Sequence, residues 1–179
     1  MIIATDVQYD EKTGSALAAA VAFDKWDTDK ATAEWTVKVS PIAPYQPGSF
    51  YKRELPCLTA LLAVAPVSYN IVVVDGHVWL REGQPGLGHH LYEALDKKVQ
   101  VIGVAKRHFI NGMASEVLRG ESQNPLHVTS IGLNVTIACD RIQSMHGPYR
   151  IPTLLKRADT LARGYTLTAG VGYKLPPSA

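Results

Sequence analysis

Ile71-Val72-Val73-Val74-Asp75-Gly76 is the stretch whose reading decides the fold. An apolar strand ends abruptly there in Asp-Gly and sets a carboxylate at the carboxyl end of a sheet. Ligand and metal sites of α/β sheets gather at that end. Met1-Ile2-Ile3-Ala4-Thr5-Asp6 repeats the pattern at the start of the chain. If the two strands are neighbours, Asp6 and Asp75 converge. Converging carboxylates repel and desolvate each other, and a hard divalent cation relieves both effects. One strand-end Asp more often just caps a strand or turn. The pair is what points to a site.

The rest of the chain supplies a frame for that pair. Residues 2–7 and 16–23 read as strands, with Asp10–Gly14 as the hairpin turn between them. Residues 33–39 alternate apolar and polar side chains, the period of a third strand. A loop with three prolines, Pro41 to Gly48, leads into a helix over 49–64, with Ser49 as N-cap and Pro56 as a kink. Residues 71–74 form the central strand. A helix over 86–97 and a buried strand over 99–104 follow. Strands are expected at 113–118 and 126–131, and closing helices at 133–146 and 152–163. Three meandering strands, then helix, strand, helix, strand, is the order of the ribonuclease-H-like fold. The expectation is an α/β protein whose mixed sheet joins an antiparallel meander to parallel strands, flanked by helices. Asp6 and Asp75 then lie side by side. Residues 1–164 are read as one nuclease domain and 165–179, with Pro176-Pro177, as a flexible tail.

Composition agrees. The chain has 179 residues, 46% hydrophobic and 19% charged, as in a globular protein with a real core. No apolar run approaches a membrane span, and the N-terminus reads as a strand, not a signal peptide. Cys57 and Cys139 show neither metal-ligand spacing nor a disulfide framework, which fits a reducing, cytoplasmic setting. The net charge of +2 hides an asymmetry. Residues 1–96 carry 7 Lys+Arg against 12 Asp+Glu, and residues 97–179 carry 11 against 4. The acidic half holds the metal-ligand candidates, and the basic half is suited to phosphates.

Glu54 supplies a third carboxylate, one turn into the helix after the proline loop. Lone helical glutamates are usually solvated, and only the spacing raises Glu54 above that. Asp6, Glu54 and Asp75 together make an oxygen-rich cluster suited to Mg²⁺ or Mn²⁺. Such ions polarise a phosphodiester and activate water.

At these residues the chain resembles the endonuclease V family, nucleases that incise nucleic acid near deaminated bases, above all inosine. Thr5-Asp6-Val7-Gln8-Tyr9 is similar to the family's first catalytic strand. Pro44-Tyr45-Gln46-Pro47-Gly48 followed by Arg53-Glu54 resembles its proline loop and helix. Val74-Asp75-Gly76-His77 and Ile102-Gly103-Val104-Ala105-Lys106 resemble two further motifs. Pro148-Tyr149-Arg150-Ile151-Pro152 with Lys156-Arg157-Ala158-Asp159 is a weaker fifth match. The order holds from about residue 2 to 160. The resemblance implies that Asp6, Glu54 and Asp75 hold the metal and that Lys106 steadies the scissile phosphate. It implies that Tyr45, between prolines and beside Pro47 and Gly48, is a stiff wedge that stacks on an unpaired base. Gly76, His77 and Gly103 would line the pocket of an extruded base, the glycines by allowing close approach. The partners would be DNA or RNA, cleaved by in-line attack to leave 3′-hydroxyl and 5′-phosphate ends.

The departures are specific. Val78-Trp79-Leu80-Arg81 stands where the family has a glycine and then His-Pro-Arg. Val78 is expected to narrow the base pocket and weaken the preference for inosine. Ungapped registration back from Pro148 puts Ile131 at the family's late histidine, with His127 four residues upstream. Two other readings share the fold. One is a nucleic-acid-binding protein with weak or no catalysis, motivated by those losses. The other is a structure-selective ribonuclease-H-like nuclease. The three carboxylates and Lys106 favour an enzyme over a binder.

Overall fold

The computed structural model describes residues 1–44, 48 and 50–165. Its core is a seven-stranded sheet. In chain order the strands are β1 (Ile2–Asp10), β2 (Ser15–Phe23), β3 (Ala33–Val39), β4 (Ile71–Asp75), β7 (Gln100–Ala105), β8 (Ser115–Val117) and β9 (Leu126–Ile131). Across the sheet they run β3-β2-β1-β4-β7-β9-β8. β1, β2 and β3 form the antiparallel meander, and β1, β4 and β7 run parallel. β9 returns antiparallel to β7 and pairs with β8 at the edge. This is the ribonuclease-H-like order expected from the sequence.

Two layers cover the sheet. α1 (Tyr51–Ala63) and α2 (Leu87–Ala94) pack with Ile3, Val72, Val74 and Val101. α3 (Val135–Ser144) and α4 (Thr153–Ala162) pack with Ala4, Val73, Ile102 and Val128 on the other face. Successive residues of a buried strand serve opposite faces, so the central strands are apolar throughout.

Most differences from expectation lie at element ends; β1 continues past Asp6 to Asp10 by pairing with β2, so Asp6 sits in mid-strand rather than at the strand's end. α2 stops at Ala94, because Asp96 and Lys97 turn into the left-handed region (φ 55° and 61°). Asn134 caps α3 by accepting the Thr136 N–H (2.8 Å), so that helix starts at Val135. α1 begins at Tyr51 with Phe50 in the N-cap position and continues through Pro56. Ser49 lies outside the described residues, as do all but Tyr165 of the expected tail. A short hairpin of β5 (Trp79–Arg81) and β6 (Gln84–Pro85) follows Asp75 and was not anticipated. Among the described residues no helix is long and apolar enough to cross a membrane.

Candidate active site

The strand register assembles the site. Thr5 pairs with Val74 across the parallel β1–β4 ladder, so Asp6 and Asp75 follow at the same height. The Thr5 hydroxyl also donates to the Val73 carbonyl (3.2 Å) and ties the two strands just below the carboxylates. Glu54 arrives from α1. The buried stripe of that helix is Glu54, Cys57, Leu58, Leu61 and Leu62, the spacing of one helix face. Glu54 thus occupies the first position of an apolar stripe and is only 5% exposed. Arg53 anchors the same turn. Its guanidinium donates to Glu11 (2.6 Å) in the β1–β2 turn and lies over the Tyr9 ring, 4.1 Å from the centroid. Burial, then the nearby charge of Glu54, raises the Tyr9 phenol.

The electrostatics carry the mark of like charges forced together. Burial and then the charges of Asp6 and Asp75 push Glu54 from 4.5 to about 8. Burial and then Asp75 push Asp6 from 3.8 to about 6. Burial is the larger cause of both shifts and a neighbouring carboxylate the next, as follows when like charges crowd together in a partly dry site. The donors are all carboxylate oxygens, which fits a hard divalent ion.

Lys106 answers part of that charge. Its Nζ lies 3.2 Å from Asp75 Oδ2, and both side chains are about half exposed. Arg150 fixes the backbone beneath it by donating to the carbonyls of Lys106 (2.5 Å) and Pro125 (2.6 Å). That gives the fifth sequence match a structural job, since Arg150 stands in it. The same match holds a fourth carboxylate. Asp159, on α4, lines the same cavity as Asp6, Asp75 and Lys106, and its charge also raises Asp6. Burial pushes Asp159 up, but hydrogen bonds from Lys156 (2.5 Å) and Arg163 (2.9 Å) outweigh it and hold the carboxyl below its usual value. The available signal was its place on the face of α4 shared with Leu155 and Ala162, beside β1.

The expected base-recognition residues divide. Tyr45 and Pro47 lie outside the described residues. Gly48 is exposed in the left-handed region (φ 75°), with open space where a side chain would stand. Gly76 (φ 150°) starts the turn after Asp75. His77 follows it, donates from Nε2 to the Arg107 carbonyl (3.2 Å) and meets Phe109 edge-on. A groove beside Asp75 is lined by Phe50, His77, Lys106, His108 and Phe109. Gly103 does not face open space. A Cβ there would fall 2.6 Å from the Gly76 carbonyl oxygen and 2.8 Å from both Thr129 Oγ1 and the Val78 nitrogen. Its bare backbone makes room for the chain's own turn. Val78 likewise corrects an expectation. It is fully buried in the core with Leu87, Leu91 and Val101, so it narrows no open pocket. Ile131 pairs with Val101, at the end of the sheet away from the carboxylates, whereas His127 pairs with Ala105 at the site's end.

A family model described as endonuclease V matches residues 1–132. Endonuclease V of Streptomyces avermitilis is 30% identical over 184 residues, covering 90% of this chain and 79% of that one. Its crystal structure aligns with a TM-score of 0.73 at 27% identity, over 91% of this chain and 79% of the other. A Ciona intestinalis endonuclease V variant, solved in complex with a 23-mer DNA containing an inosine followed by a ribo-adenosine, aligns with a TM-score of 0.78. At 18% identity, over 91% of this chain and 83% of that one, it speaks for the fold alone.

Proposed function

The chain belongs to the endonuclease V family, and from that premise we propose that it is a divalent-metal-dependent endonuclease. It cleaves a phosphodiester of DNA or RNA close to a deaminated, inosine-like or otherwise distorted base. The observation that carries this reading is Asp6 and Asp75 lining one cavity with Lys106, where β1 runs beside the carboxyl end of β4, close enough to buried Glu54 that their charges raise its carboxyl. Asp6, Glu54 and Asp75 would hold Mg²⁺ or Mn²⁺, and Asp159 lines the same cavity as Asp6 and Asp75. When bound, the cation supplies Lewis-acid polarisation of the phosphodiester and activation of water.

The chain's own residues do the rest. Glu54 is buried and Asp6 half-buried, so the attraction of their ionised carboxylates for a cation is little screened. Lys106 presents a half-exposed ammonium at the rim, suited to a phosphate oxygen that gains charge during cleavage. The groove of Phe50, His77 and Phe109 supplies aromatic faces beside Asp75 for an unstacked base. Tyr45, next to Pro44 in the sequence of the proline loop, serves as the wedge. Residues 1–164 act as one nuclease domain. The free cysteines Cys57 and Cys139 fit work in the reducing cytoplasm.

The test is incubation with end-labelled DNA and RNA, each with and without inosine, in Mg²⁺ and separately in Mn²⁺. Metal-dependent nicking near inosine supports the reading. Nicking of branched but not inosine-containing strands moves it to a structure-selective nuclease. Tight binding without nicking in either metal moves it to a non-catalytic binder.

A further inference from the structure

A second set of metal-ligating side chains lies at the β8–β9 edge; one of them, His108, also lines the groove beside Asp75. Glu116 of β8 stands directly opposite His127 of β9. On its other side His127 pairs with Ala105, the last residue of β7. The chain then turns through Lys106 and Arg107, and His108 comes to rest against His127, ring centroids 5.1 Å apart. One potential donor atom from each of His108, Glu116 and His127 lies within 4.8 Å of the other two.

His127 is the telling member. It is 6% exposed, and its buried Nδ1 has no hydrogen-bond partner. Glu116 Oε1 stands 4.0 Å from that nitrogen, too far for a hydrogen bond. An imidazole nitrogen buried without a partner is costly. Here it is aimed at a carboxylate and a second imidazole, which is how protein ligands surround a shared ion. Donor atoms around a tetrahedral zinc with bonds of 2.0–2.1 Å stand about 3.4 Å apart. His108 and Glu116 are exposed side chains able to close that difference, while His127 is held by the sheet.

We propose that His108, Glu116 and His127 bind one borderline divalent cation, of the Zn²⁺ or Co²⁺ kind, and so tie the loop after β7 to the β8–β9 edge. Two imidazoles and one carboxylate favour such ions over Mg²⁺, which prefers oxygen donors. The site differs in chemistry from the Asp6–Glu54–Asp75 cluster and does not depend on the nuclease reading. Its consequence does reach the cluster. The tethered loop begins with Lys106, so a bound ion steadies the lysine beside Asp75.

The test uses the full chain, stripped by chelator and titrated with Co²⁺ in a large excess of Mg²⁺ that occupies the oxygen-donor cluster. One equivalent of Co²⁺ is expected to bind with visible d–d absorption, which Zn²⁺ then bleaches. His108→Ala and Glu116→Gln alter exposed side chains, and thermal melts confirm their folding. Each is expected to weaken Co²⁺ binding by about tenfold or more, the scale on which even outer-sphere partners of a metal ligand act. Asp75→Asn is expected to bind Co²⁺ as wild type does. The proposal is overturned if no stoichiometric Co²⁺ binds under Mg²⁺, or if both edge variants bind it unchanged. Loss of binding in Asp75→Asn instead, or an intense thiolate-to-cobalt band from Cys57 or Cys139, also overturns it.

Discussion

Replacing Glu54 by Gln should change how the metal-free protein responds to pH more than any other single substitution at the site. Glu54 titrates at 4.5 in its usual state and at about 8 in the fold, raised by burial and then by Asp6 and Asp75. Between those values the folded chain holds a proton that the unfolded chain has released. Stability therefore falls as pH rises, by up to about 1.4 kcal/mol per pH unit. Across the whole window the cost approaches about 5 kcal/mol at pH 8 and above. Asp6 adds a fall of the same sign, between 3.8 and about 6. From pH 6 to 8 Glu54 is the main source of the decline, at roughly 2–3 kcal/mol. In a chain of this size 1 kcal/mol moves Tm by about 2–4 °C, so wild type should lose roughly 5–10 °C over that interval because of this residue. The histidines held below their usual value by burial, His77, His90 and His127, act in the opposite direction. They do so in both proteins and cancel in the comparison. Thermal melts followed by circular dichroism in chelator, at half-unit steps from pH 5 to 8.5, measure the difference. Glu54→Gln should be nearly free of the Glu54 decline above pH 6. Parallel curves for the two proteins from pH 6 to 8 would refute the reasoning, because Glu54 would then not be strained.

Three further outcomes follow from the same geometry. Asp75→Asn removes one like charge, so without metal it should melt at or above the wild-type temperature. It should also lose the rise that Mg²⁺ gives wild type, which is about 2.7 kcal/mol at a concentration 100-fold above Kd, and equal Mg²⁺ responses would show that Asp75 is not a ligand. Tyr45→Ala should weaken binding to an inosine-containing strand by roughly 1–3 kcal/mol with an unchanged melt, and an unchanged affinity at fixed salt would leave Tyr45 without a stacking role. Gly103→Ala forces a Cβ against the Gly76 carbonyl and the Val78 nitrogen; it should destabilise the protein by about 1–3 kcal/mol in urea unfolding, and a neutral effect would mean that the turn yields freely.

The fold was legible because its central strands are long apolar runs with abrupt ends. Met1 to Asp6 and Ile71 to Asp75 carry no competing helical period, and each stops at a carboxylate. Glu54 was singled out by its place one turn into the helix after the proline loop, and the structure buries it at the head of the stripe Cys57, Leu58, Leu61 and Leu62. What stayed hidden depends on tertiary approach. β5 and β6 are too short to show a period of their own. Asp159 is one charge among several on α4, and only the packing of α4 beside β1 brings it to Asp6. Val78 and Gly103 looked like pocket residues because sequence does not reveal that the turn after Asp75 folds back onto β7. Counting back from Pro148 to Ile131 reached the wrong end of β9, since that strand runs antiparallel to β7 and its first residues, not its last, meet the site.

The most direct test is single-turnover cleavage of an end-labelled, inosine-containing strand by wild type, Glu54→Gln and Asp75→Asn, in Mg²⁺ and in chelator. Wild type should nick the strand near the inosine in Mg²⁺ and not in chelator, leaving a 3′-hydroxyl. Each variant should be slower by about 100-fold or more, the scale of losing one electrostatic element of a transition-state site. Cleavage by both variants at the wild-type rate, or by wild type in chelator, would contradict the assignment of Asp6, Glu54 and Asp75 as the metal-holding centre.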